Sequence, residues 1–135
     1  MAYNRDVNII HLDSKSEKEV IVKAVAILRK DGMIVYPTET VYGLGVDATN
    51  QEAVNRLLEF KGQRGRKPVL IAVSSQQMAE EYVDLNDVAR RLYRTFLPGP
   101  VAIISVKREA LSGGEAGKLA TGIASVDGTV GVRIP

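Results

Sequence analysis

An α/β domain built on a mixed sheet is the fold class this sequence predicts, and three observations carry the prediction. Apolar stretches at strand spacing alternate along the chain with stretches at helical spacing. The chain has 135 residues, which suits one core and a single domain over 1–135. Hydrophobic residues make up 45% and charged residues 25%, the balance of a globular chain rather than a disordered one.

The elements follow in order. Residues 7–12, VNIIHL, have the composition of a short first strand. A helix is predicted over 14–31. Ser14 with Glu17, and Ser16 with Glu19, have capping-box spacing, and Val20, Ala24, Ile27 and Leu28 repeat on one face that Ile21 and Val25 widen. Gly32 is the expected left-handed stop. Residues 33–36 read as a buried strand closed by Pro37. Thr49 and Glu52 again have capping-box spacing, and the helix they open turns Ala53, Val54, Leu57 and Leu58 inward before ending at Lys61-Gly62. Residues 69–73 form the next strand. Ser74 caps a short helix reaching Tyr82, and a helix over 86–96 buries Val88, Ala89, Leu92 and Phe96. Pro98-Gly99-Pro100 stops it. Residues 101–106 are a strand, the glycine-rich stretch 109–128 reads as a mobile loop, and 129–134 is the last strand.

Composition narrows the chemistry. There is no cysteine, which removes disulfides, thiol nucleophiles and zinc-thiolate sites together, and the single histidine, His11, supplies neither a triad nor a histidine metal site. The longest apolar runs, such as Ala24–Leu28, are five residues, against the ~20 a membrane span needs. The N-terminus carries charge where a signal peptide needs an apolar stretch, so a cytoplasmic protein without a membrane association is expected. Net charge is +2, too small to argue for nucleic acid.

Three segments remain for function. Pro37-Thr38-Glu39-Thr40-Val41-Tyr42-Gly43-Leu44-Gly45 follows a strand, the position at which α/β sheets bind ligands; a polar turn is the plainer reading. Lys61-Gly62-Gln63-Arg64-Gly65-Arg66-Lys67 holds four cations and no anion, an arrangement that suits a phosphate or an RNA backbone, although a solvated loop also accounts for it. It lacks the Gly-Lys-Ser/Thr of a Walker A loop. In Thr129–Pro135, alternation sets Thr129, Gly131 and Arg133 on one face and Val130, Val132 and Ile134 on the other. Arg133 with Thr129 makes a candidate carboxylate or phosphate clamp, against the alternative of an exposed strand face. His11 reads as a packing residue, and Arg90, Arg91 and Arg94 as a solvated helix flank. Glu39 stands alone, and one carboxylate is not a metal site.

From about residue 16 onward these segments resemble the YrdC-like domain of the threonylcarbamoyl-AMP synthase family. The strongest element is GMIVYPTETVYGLGVDA at 32–48; Lys61–Pro68, Phe96–Pro100 and Thr129–Pro135 follow in the family's order and approximate spacing. The resemblance implies an open, twisted mixed sheet with flanking helices around a concave cavity. It implies an enzyme, a nucleotidyltransferase that joins L-threonine, bicarbonate and ATP into threonylcarbamoyl-AMP and releases pyrophosphate. A partner complex then transfers the group to an adenosine beside the anticodon of certain tRNAs. It further implies that Thr40 and Arg133 bind L-threonine. Lys61, Arg64, Lys67 and Thr129 would hold ATP, with Lys61 and Arg64 stabilising phosphate charge and Mg2+ bridging the phosphates. Gln63 and Arg64 take the places of the family's usual Arg and Pro, with Arg66 a second candidate for that phosphate. Ala72 stands where the family often has His.

The family's Ser-x-Asn element lies beyond Pro135, so the resemblance implies a chain incomplete at its C-terminal side. From this follow two expectations. The Val130, Val132 and Ile134 face should lack cover and promote self-association at the C-terminal edge. A non-catalytic nucleotide- or RNA-binding module is the alternative function; the related domain of hydrogenase maturation has no supporting feature here.

Overall fold

Three of the four described helices start at a side chain that accepts a hydrogen bond from their own first turn. The computed structural model describes residues 7–13, 16–62, 68–108 and 118–135. In chain order the elements are α1 (Glu17–Leu28), β1 (Ile34–Tyr36), β2 (Gly43–Gly45), α2 (Gln51–Lys61), β3 (Ile71–Ala72), α3 (Gln76–Tyr82), β4 (Val83–Asp84), α4 (Asp87–Phe96), β5 (Ile103–Lys107) and β6 (Thr129–Arg133). Asn50 caps α2 by accepting from the Ala53 amide at 3.0 Å, Ser75 caps α3 through Met78, and Asn86 caps α4 through Ala89.

The sheet is mixed, as the alternation of elements predicts. Its order is β3-β6-β5-β4, with β3 parallel to β6 and the other pairs antiparallel. β1 and β2 form a separate antiparallel hairpin. The register sorts the strand residues between two faces. Ile71, Val83, Ile103, Val130 and Val132 are buried with Val54, Ala79, Ala89 and Tyr93 in one core. Ala72, Arg133, Gly131, Ile104, Thr129 and Val106 share the opposite face, where Ile104 is 71% and Val106 58% exposed. Leu70 packs over Gly131 in the middle of that face, and the exposed remainder is the floor of the candidate site.

Several expectations are corrected. Residues 7–12 form no strand, since no strand among the described residues pairs with them, and all but the half-buried Ile10 lie exposed. Ser16 precedes α1 but makes no side-chain cap; its amide instead donates to the Asp13 carboxylate at 2.8 Å, and Ser14 lies outside the described residues. The left-handed residue ending α1 is Asp31, at φ +59°, not Gly32. Amides of Asp31 and Gly32 bond the carbonyls of Leu28 and Ile27, the paired closure of a Schellman motif. Gly32 is needed there for proximity, since a Cβ would lie 2.6 Å from the Ile27 carbonyl oxygen. At α2 the cap is Asn50 rather than Thr49, whose hydroxyl donates to Asp47 at 2.7 Å. At α3 it is Ser75 rather than Ser74.

Helix α4 is rotated from its predicted face. Ala89 and Tyr93 are buried, whereas Val88, Leu92 and Phe96 are exposed. The expected loop over 109–128 is partly core: Leu119, Ala120 and Ile123 are buried, and the Gln51 side chain pins the turn by bonding both the amide and the carbonyl of Thr121. Residues 109–117 lie outside the described residues. The face of Val130, Val132 and Ile134, expected to lack cover, is buried at 0%, 0% and 9%. Core residues from α2, α3 and α4 cover it, which removes the stated ground for self-association at that edge. Among the described residues no helix is long and apolar enough to cross a membrane.

Candidate functional site

The site is built where the loop between β1 and β2 reaches over the end of β6. Tyr36 lays its ring against Gly43 and Gly45 of the paired strand, and side chains there would meet the ring at about 3 Å. Leaving the hairpin, the loop is organised by one hydroxyl. Thr38 Oγ1 donates to the Val41 carbonyl at 2.5 Å and accepts from the amides of Thr40 and Val41 at 3.2 and 3.3 Å. This is the local side-chain-to-backbone bonding by which Thr stabilises turns. It turns Thr40 toward β6.

Arg133, at the end of β6, is fixed from three directions. Its Nε donates to the Gly99 carbonyl at 3.1 Å, and its Nη2 donates to Thr40 Oγ1 at 3.1 Å and to the Glu39 carboxylate. Gly99 sits between two prolines after α4, and its own amide donates to the Ile134 carbonyl at 2.9 Å, so the turn docks on the strand end. A Cβ at Gly99 would lie 2.7 Å from the Phe96 carbonyl oxygen, so only glycine fits that close approach. The hydrogen bond from Arg133 holds the Glu39 carboxyl below its ordinary value, partly opposed by desolvation.

Thr40 and Arg133, the residues the sequence analysis assigned to L-threonine, therefore meet. Lys61 closes α2, half-buried, with no ion pair among the described residues. Arg64, Arg66 and Lys67 lie outside the described residues. Thr129 occupies the same sheet face as Arg133 but four residues away, about 13 Å along a strand. Its hydroxyl is committed to a tight knot, 2.8 Å from Asp127 and 2.7 Å from Ser125. Hydrogen bonds from Ser125 and then Thr129 hold the Asp127 carboxyl below its usual range.

Ala72 is opposite Arg133 in register and exposed. His11 is exposed, and Arg90 is tied to Glu80 at 2.9 Å and to the Leu85 carbonyl at 3.2 Å. No group of three His, Asp or Glu side chains among the described residues is placed to hold a metal ion.

Sequence reasoning missed Thr38, Glu39 as a partner of Arg133, and the Gly99 carbonyl. A glycine held between two prolines was the only advance sign of the last. A cavity of about 450 Å³ adjoins the open sheet face between α1, the hairpin and the edge strand β3, and Leu70 and Ala72 lie on its wall. Tyr36, Leu44, Val54, Ile71 and Tyr82 are among its lining residues. Thr40, Lys61 and Arg133 do not line it, and its mainly apolar wall offers little to a charged substrate, so the open sheet face is the better candidate.

Comparison with known proteins adds to this geometry. The sequence model of the Sua5, YciO and YrdC family, described as "Telomere recombination", matches residues 26–135. The threonylcarbamoyl-AMP synthase of Pyrococcus abyssi is 33% identical over 128 residues, covering 94% of this chain and 35% of its own length. That of Bacillus subtilis is 35% identical over 94 residues, covering 68% of this chain and 27% of its own. The crystal structure of P. abyssi Sua5 complexed with L-threonine superposes with a TM-score of 0.77 at 32% identity, covering 88% of this chain and 33% of that one. The chain thus spans about a third of the length of these relatives.

Proposed function

Because this chain belongs to the Sua5, YciO and YrdC family, we propose that it serves the synthesis of threonylcarbamoyl-AMP and pyrophosphate from L-threonine, bicarbonate and ATP. The single observation that carries this reading is the meeting of the Thr40 hydroxyl and the Arg133 guanidinium at 3.1 Å above the open sheet face. A planar guanidinium suits a carboxylate, and a neighbouring hydroxyl suits the second polar group of a small hydroxy amino acid. The relative whose structure contains L-threonine shares this fold.

In the proposed reaction the threonine amine and bicarbonate condense to a carbamate with loss of water. A carbamate oxygen then attacks the α-phosphate of ATP, a P–O bond forms, and pyrophosphate leaves. Arg133 and Thr40 hold the amino acid at its carboxylate end, which leaves the amine free to react. Lys61 makes no ion pair among the described residues and is assigned to the phosphates, with Arg64 and Lys67 following it in the chain. Thr129 is assigned to the nucleotide by its place on the sheet face rather than by its hydroxyl, which Asp127 and Ser125 already engage, and exposed Ile104 and Val106 on the paired strand offer an apolar floor for a base. The described residues bring together no ligand set for the expected Mg2+, so no step is assigned to it. Delivery of the threonylcarbamoyl group to tRNA by a partner complex, and a cytoplasmic location, follow from the same reading.

Calorimetric titration of L-threonine and of ATP against the wild-type chain, Arg133→Ala and Lys61→Ala tests the assignment. Arg133→Ala is expected to weaken threonine and spare ATP, and Lys61→Ala the reverse. Equal losses for both ligands in both variants would show that the two residues are structural.

A further inference from the structure

Arg133 already holds a carboxylate of its own chain. Glu39 and Arg133 are 35% and 19% exposed at their side chains, so the pair sits at the mouth of the site rather than deep in the core. Nη2 is shared between Glu39 and Thr40, and Nε is spent on the Gly99 carbonyl. A ligand carboxylate that approaches Arg133 beside Thr40 therefore meets a like charge on the same nitrogen. Thr40 and Glu39 are neighbours on one loop whose backbone Thr38 anchors, whereas the Glu39 carboxylate is held chiefly by Arg133, with its own backbone amide a lesser partner.

We propose that Glu39 is the resident carboxylate of the Arg133 subsite: it occupies the guanidinium when no ligand is bound, and a carboxylate ligand binds by displacing it. The proposal rests on the reading of Arg133 as the group that receives the threonine carboxylate. Glu39 then acts as a specificity-determining residue. It sets the affinity a carboxylate must exceed, keeps the guanidinium aligned with Thr40 and Gly99, and discriminates against weaker anions that cannot also engage Thr40.

The test is titration of L-threonine and L-threoninamide against the wild-type chain, Glu39→Gln, Glu39→Ala and Arg133→Ala, with a thermal melt of each. Removing an exposed ion pair of this kind changes an equilibrium by about two- to fivefold. Glu39→Gln and Glu39→Ala are therefore expected to bind L-threonine about two- to fivefold more tightly and to bind L-threoninamide, which has no carboxylate, as the wild type does. A merely structural role would move both ligands together. Unchanged or weaker threonine binding in the Glu39 variants, with loss in Arg133→Ala, overturns the exchange and leaves the threonine reading intact. Weakening of both ligands in the Glu39 variants overturns it, in favour of Glu39 as a partner of the ammonium group where the melt is unchanged and of a structural role where the melt falls. Undiminished threonine binding by Arg133→Ala, or none by any of the four proteins, overturns the reading of the site and the exchange with it.

Discussion

Thr38→Val removes one oxygen from the loop above Arg133 while keeping the side chain's shape, and its consequences follow from the bonds that oxygen makes. Thr38 Oγ1 donates to the Val41 carbonyl at 2.5 Å and accepts from two amides at 3.2 and 3.3 Å. A net hydrogen bond contributes ~1 kcal/mol. The two amide bonds are long, and the loop is open enough for water to replace them, so the sum is about 1 kcal/mol rather than three times that. For a domain of this size that lowers the melting temperature by about 3–5 °C. The larger consequence is for ligand binding. Without the hydroxyl, Thr40 loses the anchor that turns it toward Arg133, and ~1 kcal/mol of lost ordering weakens L-threonine about fivefold. Calorimetry with L-threonine, beside a thermal melt, measures both effects. Thr38→Ser keeps the oxygen and is expected to behave close to wild type. Wild-type threonine affinity in Thr38→Val would refute the idea that this hydroxyl positions the site.

Other substitutions probe the frame. Asn50→Ala removes the α2 cap and a bond to Asp31, and is expected to cost about 1–2 kcal/mol in denaturant unfolding, without a change in the denaturant slope. Tyr93 buries a hydroxyl that has no hydrogen-bond partner among the described residues, and burial, helped by Glu80, pushes its pKa up to about 12. Tyr93→Phe is therefore expected to be neutral or to stabilise the chain by about 1 kcal/mol in the same assay; a loss above about 1 kcal/mol would reveal a hidden partner. Asp127 is depressed in the folded chain, so its contribution to stability is present above the ordinary carboxylate value, 3.8, and is lost as pH falls through the lower folded value. Melting curves from pH 7 to pH 2 should show this acid-side loss in the wild type and a smaller one in Asp127→Asn.

Legibility in the sequence depended on whether a signal was local and periodic. Strand β6 was readable because Thr129, Gly131 and Arg133 alternate with Val130, Val132 and Ile134, and period two leaves no second solution. The ends of α2 and α4 were marked by Lys61-Gly62 and by Pro98-Gly99-Pro100. Helix α4 was read rightly at Ala89 and misread at Val88, Leu92 and Phe96, which form as good a helical stripe as Ala89 and Tyr93 do until tertiary packing chooses the second. Residues 7–12 have strand propensity but no paired strand, and propensity without pairing does not make a strand. β2 went unseen because Gly43-Leu44-Gly45 carries no β-branched residue; it holds through pairing with β1 under the Tyr36 ring.

In the candidate site, the family resemblance named Thr40 and Arg133 together, and the two side chains do meet. Glu39 was not, because nothing in the sequence told whether its carboxylate faced solvent or the guanidinium ninety-four residues later. Main-chain partners such as the Gly99 carbonyl leave no residue type to read. The cover over Val130 and Val132 was missed for a related reason: it comes from α2, α3 and α4, earlier in the chain, rather than from whatever follows the strand.

The most direct measurement is pyrophosphate released when this chain is incubated with ATP, bicarbonate and L-threonine, each also omitted in turn. Release that requires all three, with threonylcarbamoyl-AMP appearing in equal amount and both abolished in Arg133→Ala, is the predicted result. Release that ignores L-threonine, or none while a full-length relative is active beside it, would contradict the claim that these residues carry the synthesis.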